Sequence, residues 1–144
     1  MQDPATAIRT AYASLLADVV HNGNPVGFYD GMAPDDAVAP YVIVAGQQTQ
    51  SDNTKTSFGA VHTVTLSVVS ENTGQKRGKK AGETIENQIL SRLMPQPGIV
   101  GLPALTGFHV YQIILESASD LPVTTPAGIT NQRIIIIRHL VQQL

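Results

Sequence analysis

The chain has no cysteine and no tryptophan, few other aromatics and few charges. Without cysteine there can be no disulfide and no thiolate metal site, which fits a reducing compartment. Charged residues make up 14%, against about a quarter in an average globular protein. Part of the surface is therefore neutral and polar, as suits a protein that sits against partners. A formal net charge of −2 gives no global drive toward nucleic acid. No apolar run reaches the ~18 residues of a membrane-spanning helix, so no membrane partner is expected. The N-terminus, MQDPATAIRT, has an acid and a proline where a signal peptide needs a basic and then an apolar stretch. The expected location is cytosolic. There is no internal repeat and no linker-like composition. At 144 residues and 42% hydrophobic, the chain can bury a core of its own, and a single domain over residues 1–144 is expected.

Catalytic patterns are missing as well. Residues 98–101 read GIVG, but no G-x-G-x-x-G and no P-loop is present. The serines lack the glycine pattern of a nucleophile elbow. Asp35-Asp36 is an acidic pair in a loop, where nothing fixes the separation a general acid and base require. His21, His62, His109 and His139 are not at ligand spacing such as H-x-x-x-H. His62 reads as a partly buried or edge histidine of a strand. These residues imply no enzyme, no catalytic residue, no metal and no cofactor.

What is present is an order of elements. Residues 4–20 predict a helix, with Asp3 as N-cap, Pro4 at the first helical position and Ile8, Tyr12, Leu15, Leu16 and Val19 as one stripe. Asn22-Gly23-Asn24-Pro25 stops it. Val26–Tyr29 predicts a short strand, Gly31–Ala39 a loop, and Tyr41–Ala45 a strand. Val61–Val69 alternates, with His62, Val64, Leu66 and Val68 facing one way. A helix follows to about Leu93, carried by Ala81, Ile85, Ile89 and Leu93 and ended by Pro95 and Pro97. Val110–Ser117 predicts a strand with Tyr111, Ile113 and Leu115 on one face. Ala118–Gly128 predicts a loop and Arg133–Val141 a final strand. Its Ile134-Ile135-Ile136-Ile137 run, apolar on both faces, should be central, or covered on its second side by a neighbouring subunit. The fold class expected is α+β, with two helices packed on a mostly antiparallel sheet.

Two features are candidates for interaction. Lys76, Arg77, Lys79 and Lys80 precede or open the second helix, where cations oppose the macrodipole. They are a solvated helix start, a site for an acidic protein patch, or a site for nucleic acid. Gln47–Gly59 is a polar stretch, long for a plain turn. It reads as strand ends plus a long hairpin tip, either flexible or an arm that orders on a partner, with Gln50, Asn53 and Lys55 as its candidate contacts.

The Pro40-Tyr41-Val42-Ile43-Val44 strand start, the alternating Val61–Val69 strand, the turn into the Gly78–Leu93 helix and the two late strands resemble the tail-completion (tail-terminator) proteins of long-tailed bacteriophages and prophages. The likeness spans about residues 5–142. It implies a structural virion protein without catalysis, present in host cytoplasm during assembly. It also implies a ring of like subunits, usually a hexamer, that caps the finished tail tube and offers its other face to the head connector. The implied partners are further copies of the chain, the tail tube protein, the head-completion or connector protein, and DNA passing through the lumen. The long stretches at Gln47–Gly59 and Ala118–Gly128 depart from the family and leave open which loop meets tube and which meets connector. Other readings are a different neck protein of the head–tail joint, or a small-molecule-binding α+β domain.

Overall fold

The computed structural model describes residues 1–72, 78–125 and 128–144. Its elements are α1 (Ala5–Leu15), β1 (Val20–His21), β2 (Asn24–Pro25), β3 (Gly27–Asp30), β4 (Tyr41–Ser51), β5 (Gly59–Asn72), α2 (Gly78–Leu93), β6 (Phe108–Thr125) and β7 (Gly128–Gln143). Five strands form one sheet in the order β3-β4-β5-β7-β6, and β1-β2 is a separate small hairpin. Only β3 and β4 run parallel; the other pairs are antiparallel. The α+β class expected from the sequence is the fold observed.

α1 ends at Leu15, five residues before the expected end. The chain then turns and forms β1-β2 around Asn22 and Gly23, both with positive φ. Two positive φ values at consecutive turn residues are what a tight Asn-Gly hairpin requires. Asp3 does serve the start of α1, where its carboxylate accepts from the Ala5 N–H at 3.0 Å, although Pro4 holds the cap position. The expected stripe is real: Ile8, Tyr12, Leu16 and Val19 are buried.

α2 has the expected bounds, and Ile85, Ile89 and Leu93 are fully buried, each stabilising the fold by about 2 kcal/mol. Its end is tied down by Gly101, whose N–H donates to the Leu93 carbonyl at 2.7 Å. A Cβ at Gly101 would overlap the Arg92 carbonyl oxygen, so only glycine permits this approach. Arg92 donates to the Leu15 carbonyl and pairs with Asp18, which staples the end of α1 to α2. This pairing holds the Asp18 carboxyl below its usual range.

Both helices lie on one face of the sheet. That inner face carries Val42 and Val44 of β4, Val64, Leu66 and Val68 of β5, Ile113 of β6, and Ile135, Ile137 and Val141 of β7. β7 is an interior strand beside the edge strand β6, one place off the expected centre, and among the described residues helices cover one of its faces only.

The late strands are longer than expected. Ala118–Thr125 continues β6 and Gly128–Ile134 begins β7, so the expected loop is mostly a hairpin arm. Pro122 sits on β6, an edge strand, where a missing N–H is tolerated. β6 also has register breaks at Tyr111 and Glu116. The first break removes Tyr111 from the face of Ile113 and leaves it exposed.

Candidate interaction surfaces

The β4–β5 hairpin is where the sequence and the structure differ most. Gln47–Ser51 is strand, not tip, and pairs with Ala60–Val64. The tip is residues 52–58, and it closes on itself. Asp52 N–H donates to Gly59 O, Thr54 N–H to Ser57 O, and Gly59 N–H to the Asn53 side chain. Of the residues expected to make contacts, Gln50 is on β4 and exposed, Asn53 is spent on the tip's own closure, and Lys55 is exposed at its apex. Lys80 is exposed in the first turn of α2. Lys76 and Arg77 lie outside the described residues, as does the side chain of Lys79.

The reason Gln47–Ser51 can be strand is a β-bulge between Val44 and Gly46. The extra residue shifts the alternation by one, so the inner face reads Val42, Val44, then Gln47, Thr49. Those two polar side chains meet a polar partner. His62 lies opposite Thr49 on β5, and His139 lies opposite His62 on β7. Both histidines are fully buried. The expectation of a partly buried, solitary His62 is therefore corrected: strand pairing brings together two histidines that are 77 residues apart.

Hydrogen bonding fixes the tautomers. His139 Nδ1–H donates to the His62 carbonyl at 2.9 Å, which leaves Nε2 to accept from the Tyr12 hydroxyl at 2.7 Å. The Gln47 amide donates to His62 Nε2 at 2.9 Å and to the Ala5 carbonyl at 3.1 Å, and its oxygen accepts from Arg9. His62 Nδ1–H then donates to Thr49 Oγ1, whose hydroxyl donates to the Asp3 carboxylate. The Gln47 link requires His62 Nε2 to accept, and so a neutral His62 imidazole. Burial accordingly depresses both, His139 to about 4. Burial also pushes the Tyr12 phenol up, and the Thr49 hydrogen bond holds Asp3 down. The network ties α1 to the sheet. It acts as a structural joint, and none of its side chains lines either of the two concavities on the described surface.

At the other end of the inner face, Arg133 pairs with Glu86 of α2 at 2.8 Å and with Asp120 of β6 at 3.1 Å. Glu86 is buried, so this bridge joins helix, edge strand and the interior strand β7.

The outer face differs. Ile134, Ile136, Arg138 and Leu140 alternate along β7, flanked by Ile114 of β6 and by Val61, Thr63 and Thr65 of β5, all half-buried. No described helix or strand lies over them. Arg138 Nε is buried with no hydrogen-bond partner. Residues 31–40 return the chain from the end of β3 to the start of β4. Parallel strands require such a crossover, and here no helix forms it. Met32 and Val38 are 84% and 82% exposed on it, beside Asp35 and Asp36.

Two half-open concavities lie on the described surface: a groove between Met94–Val100 and Tyr111–Ile113, and a hollow beside Met1, Pro4, Phe58 and Phe108. Among the described residues no three His, Asp or Glu side chains are placed to share a metal ion, and no helix is long and apolar enough to cross a membrane.

A helix-backed sheet with one face open defines an α+β packing module. The chain belongs to the tail completion protein gp17 family, whose model matches residues 10–121, and so to the structural proteins of phage tails. Its fold is similar to that of a chain in a solved structure described as the virion of a native gene transfer agent (GTA) particle. The match has a TM-score of 0.63 and 20% identity, and covers 95% of this chain and 92% of that one. At that identity the likeness is one of fold. No curated protein matches the chain.

Proposed function

We propose that this chain completes the tail by forming a closed ring of like subunits, a hexamer, on the end of the finished tube. The ring's other face then receives the head connector, and DNA passes through its lumen. Family membership over residues 10–121 carries the reading. The physical complement is the open outer face of the sheet, where half-buried aliphatics await a cover that the subunit does not supply. Its output is geometry, with no catalysis. Its location is the assembled virion, reached from host cytoplasm.

The test is negative-stain imaging of purified tail tubes with and without the protein. Annular density should appear at one end of each tube, and tubes so capped should join heads. Protein that decorates tubes along their length, or leaves both ends bare, would overturn the reading. The residue 52–58 tip gives a second arm. Replacing Asn53–Ser57 by a two-residue turn should leave the subunit folded, because Gln47–Ser51 stays in the sheet. If that tip meets the tube, capping is lost.

A further inference from the structure

We propose that residues 31–40 of one copy dock on the open sheet face of the next, with Asp35 or Asp36 accepting from Arg138. Met32 and Val38 then lie on Ile134, Ile136 and Leu140. This inference rests on the ring reading above and names the surfaces that would close it.

Each side of the contact lacks what the other has. The sheet face sets Ile134, Ile136, Leu140, Ile114 and Val61, with Thr63 and Thr65, around Arg138, and that cation keeps a buried N–H without an acceptor. A buried unsatisfied donor costs about 1–3 kcal/mol until an acceptor arrives. A wholly apolar cover would leave that cost in place, so the partner must bring an oxygen, and a carboxylate is the strongest choice. Residues 31–40 present apolar side chains and two adjacent carboxylates in one exposed segment. Among the described residues neither carboxylate has an ion-pair partner: the bridges found use Asp18, Asp30, Glu86 and Asp120.

Strand order argues for a contact between copies. The crossover joins β3, at one edge of the sheet, to its neighbour β4. β7 lies three strands away in the order β3-β4-β5-β7-β6, roughly 14 Å at the spacing of paired strands. The exposure of Met32 and Val38 shows that neither side chain packs on its own sheet. Two different patches on one subunit make a head-to-tail contact, the kind that closes into a ring when the rotation allows.

The experiment exploits the lack of cysteine. Val38→Cys protein and Ile136→Cys protein are prepared separately, mixed at high concentration and oxidised. The mixture should yield mixed disulfide dimers about tenfold above homodimers of either variant alone. In parallel, sedimentation equilibrium should show Arg138→Glu weakening self-association about tenfold or more. A copy also carrying Asp35→Arg and Asp36→Arg should recover to within about threefold of wild type. Equal yields of mixed and homodimeric disulfide, or a charge swap that fails to restore association, would overturn this pairing while a ring seen by imaging stands. Wild type that closes no ring, alone or on tubes, would overturn the ring reading and this inference with it. Protection of Ile134–Leu140 from hydrogen exchange by tail tubes, with none from further copies, would assign the face to the tube protein and overturn the pairing.

Discussion

The two faces of one sheet are made by the same strands and differ in almost every other respect. On the inner face, apolar side chains meet two helices, and the polar ones are satisfied. Gln47, Thr49, His62 and His139 close a network with α1, and Arg133 holds both Glu86 and Asp120. On the outer face the aliphatics are half-buried and Arg138 has an orphaned N–H. The inner face therefore holds the subunit together. The outer one contributes little to the isolated subunit and is available for assembly. The difference turns on alternate residues of β7, separated by one peptide bond.

The sharpest way to break the comparison is a pair of adjacent truncations. Ile135→Ala, on the inner face, should cost about 4 kcal/mol in urea unfolding, because it empties a close-packed site between α2 and the sheet. Ile136→Ala, on the outer face, should cost under about 1 kcal/mol while impairing tube capping. Similar losses for both would show that the outer face is packed within the subunit.

The histidine network gives a smaller effect that is specific to the inner face. A histidine whose folded pKa is depressed binds fewer protons than in the unfolded chain, so its contribution is fully present above about pH 6.5 and is lost as pH falls through that value toward 4. His139, facing Tyr12, His62 and the His62 carbonyl, should lose on the order of 3 kcal/mol across that window. His62 adds to the loss, with its charged neighbours Asp3 and Arg9 nearby. His139→Gln should be less stable at pH 7 and show a flatter slope between pH 6.5 and 4. An unchanged slope would mean that another group dominates. Asp3 and Asp18 are held below the usual carboxylate range, so their losses fall mainly at more acid pH.

The smallest effect has the opposite sign. Arg138→Met keeps the aliphatic bulk and removes the orphaned donor. Thermal unfolding of the isolated subunit should show no loss, or a gain of up to about 1 kcal/mol. A clear loss would mean that Arg138 is already satisfied within the subunit.

Much of this was legible in the chain. Period-four apolar steps gave α2 its bounds, and the Val64–Leu66–Val68 alternation gave the central strand its inner face. The four-isoleucine run kept the last strand off the edge of the sheet. Local patterns sufficed there because burial repeats with the geometry of the element. They failed where pairing overrides the local pattern. Ala118–Thr125 is proline-bearing and reads as loop, and the polar run from Gln47 hides where strand ends and tip begins, yet Ala118–Thr125 and Gln47–Ser51 are strand because a neighbouring strand supplies a ladder. The bulge at Ala45, hinted at only by Gly46, turned Gln47 and Thr49 inward.

The sequence by itself determined the α+β class, both helices and the lack of disulfide chemistry, since composition and periodicity act over a few residues. Tertiary structure alone decided that His62 meets His139, that Arg133 bridges three elements and that Arg138 is left without an acceptor. These are contacts across strands distant in the chain, set by register and by which face the helices happen to cover. No run of neighbouring residues encodes them.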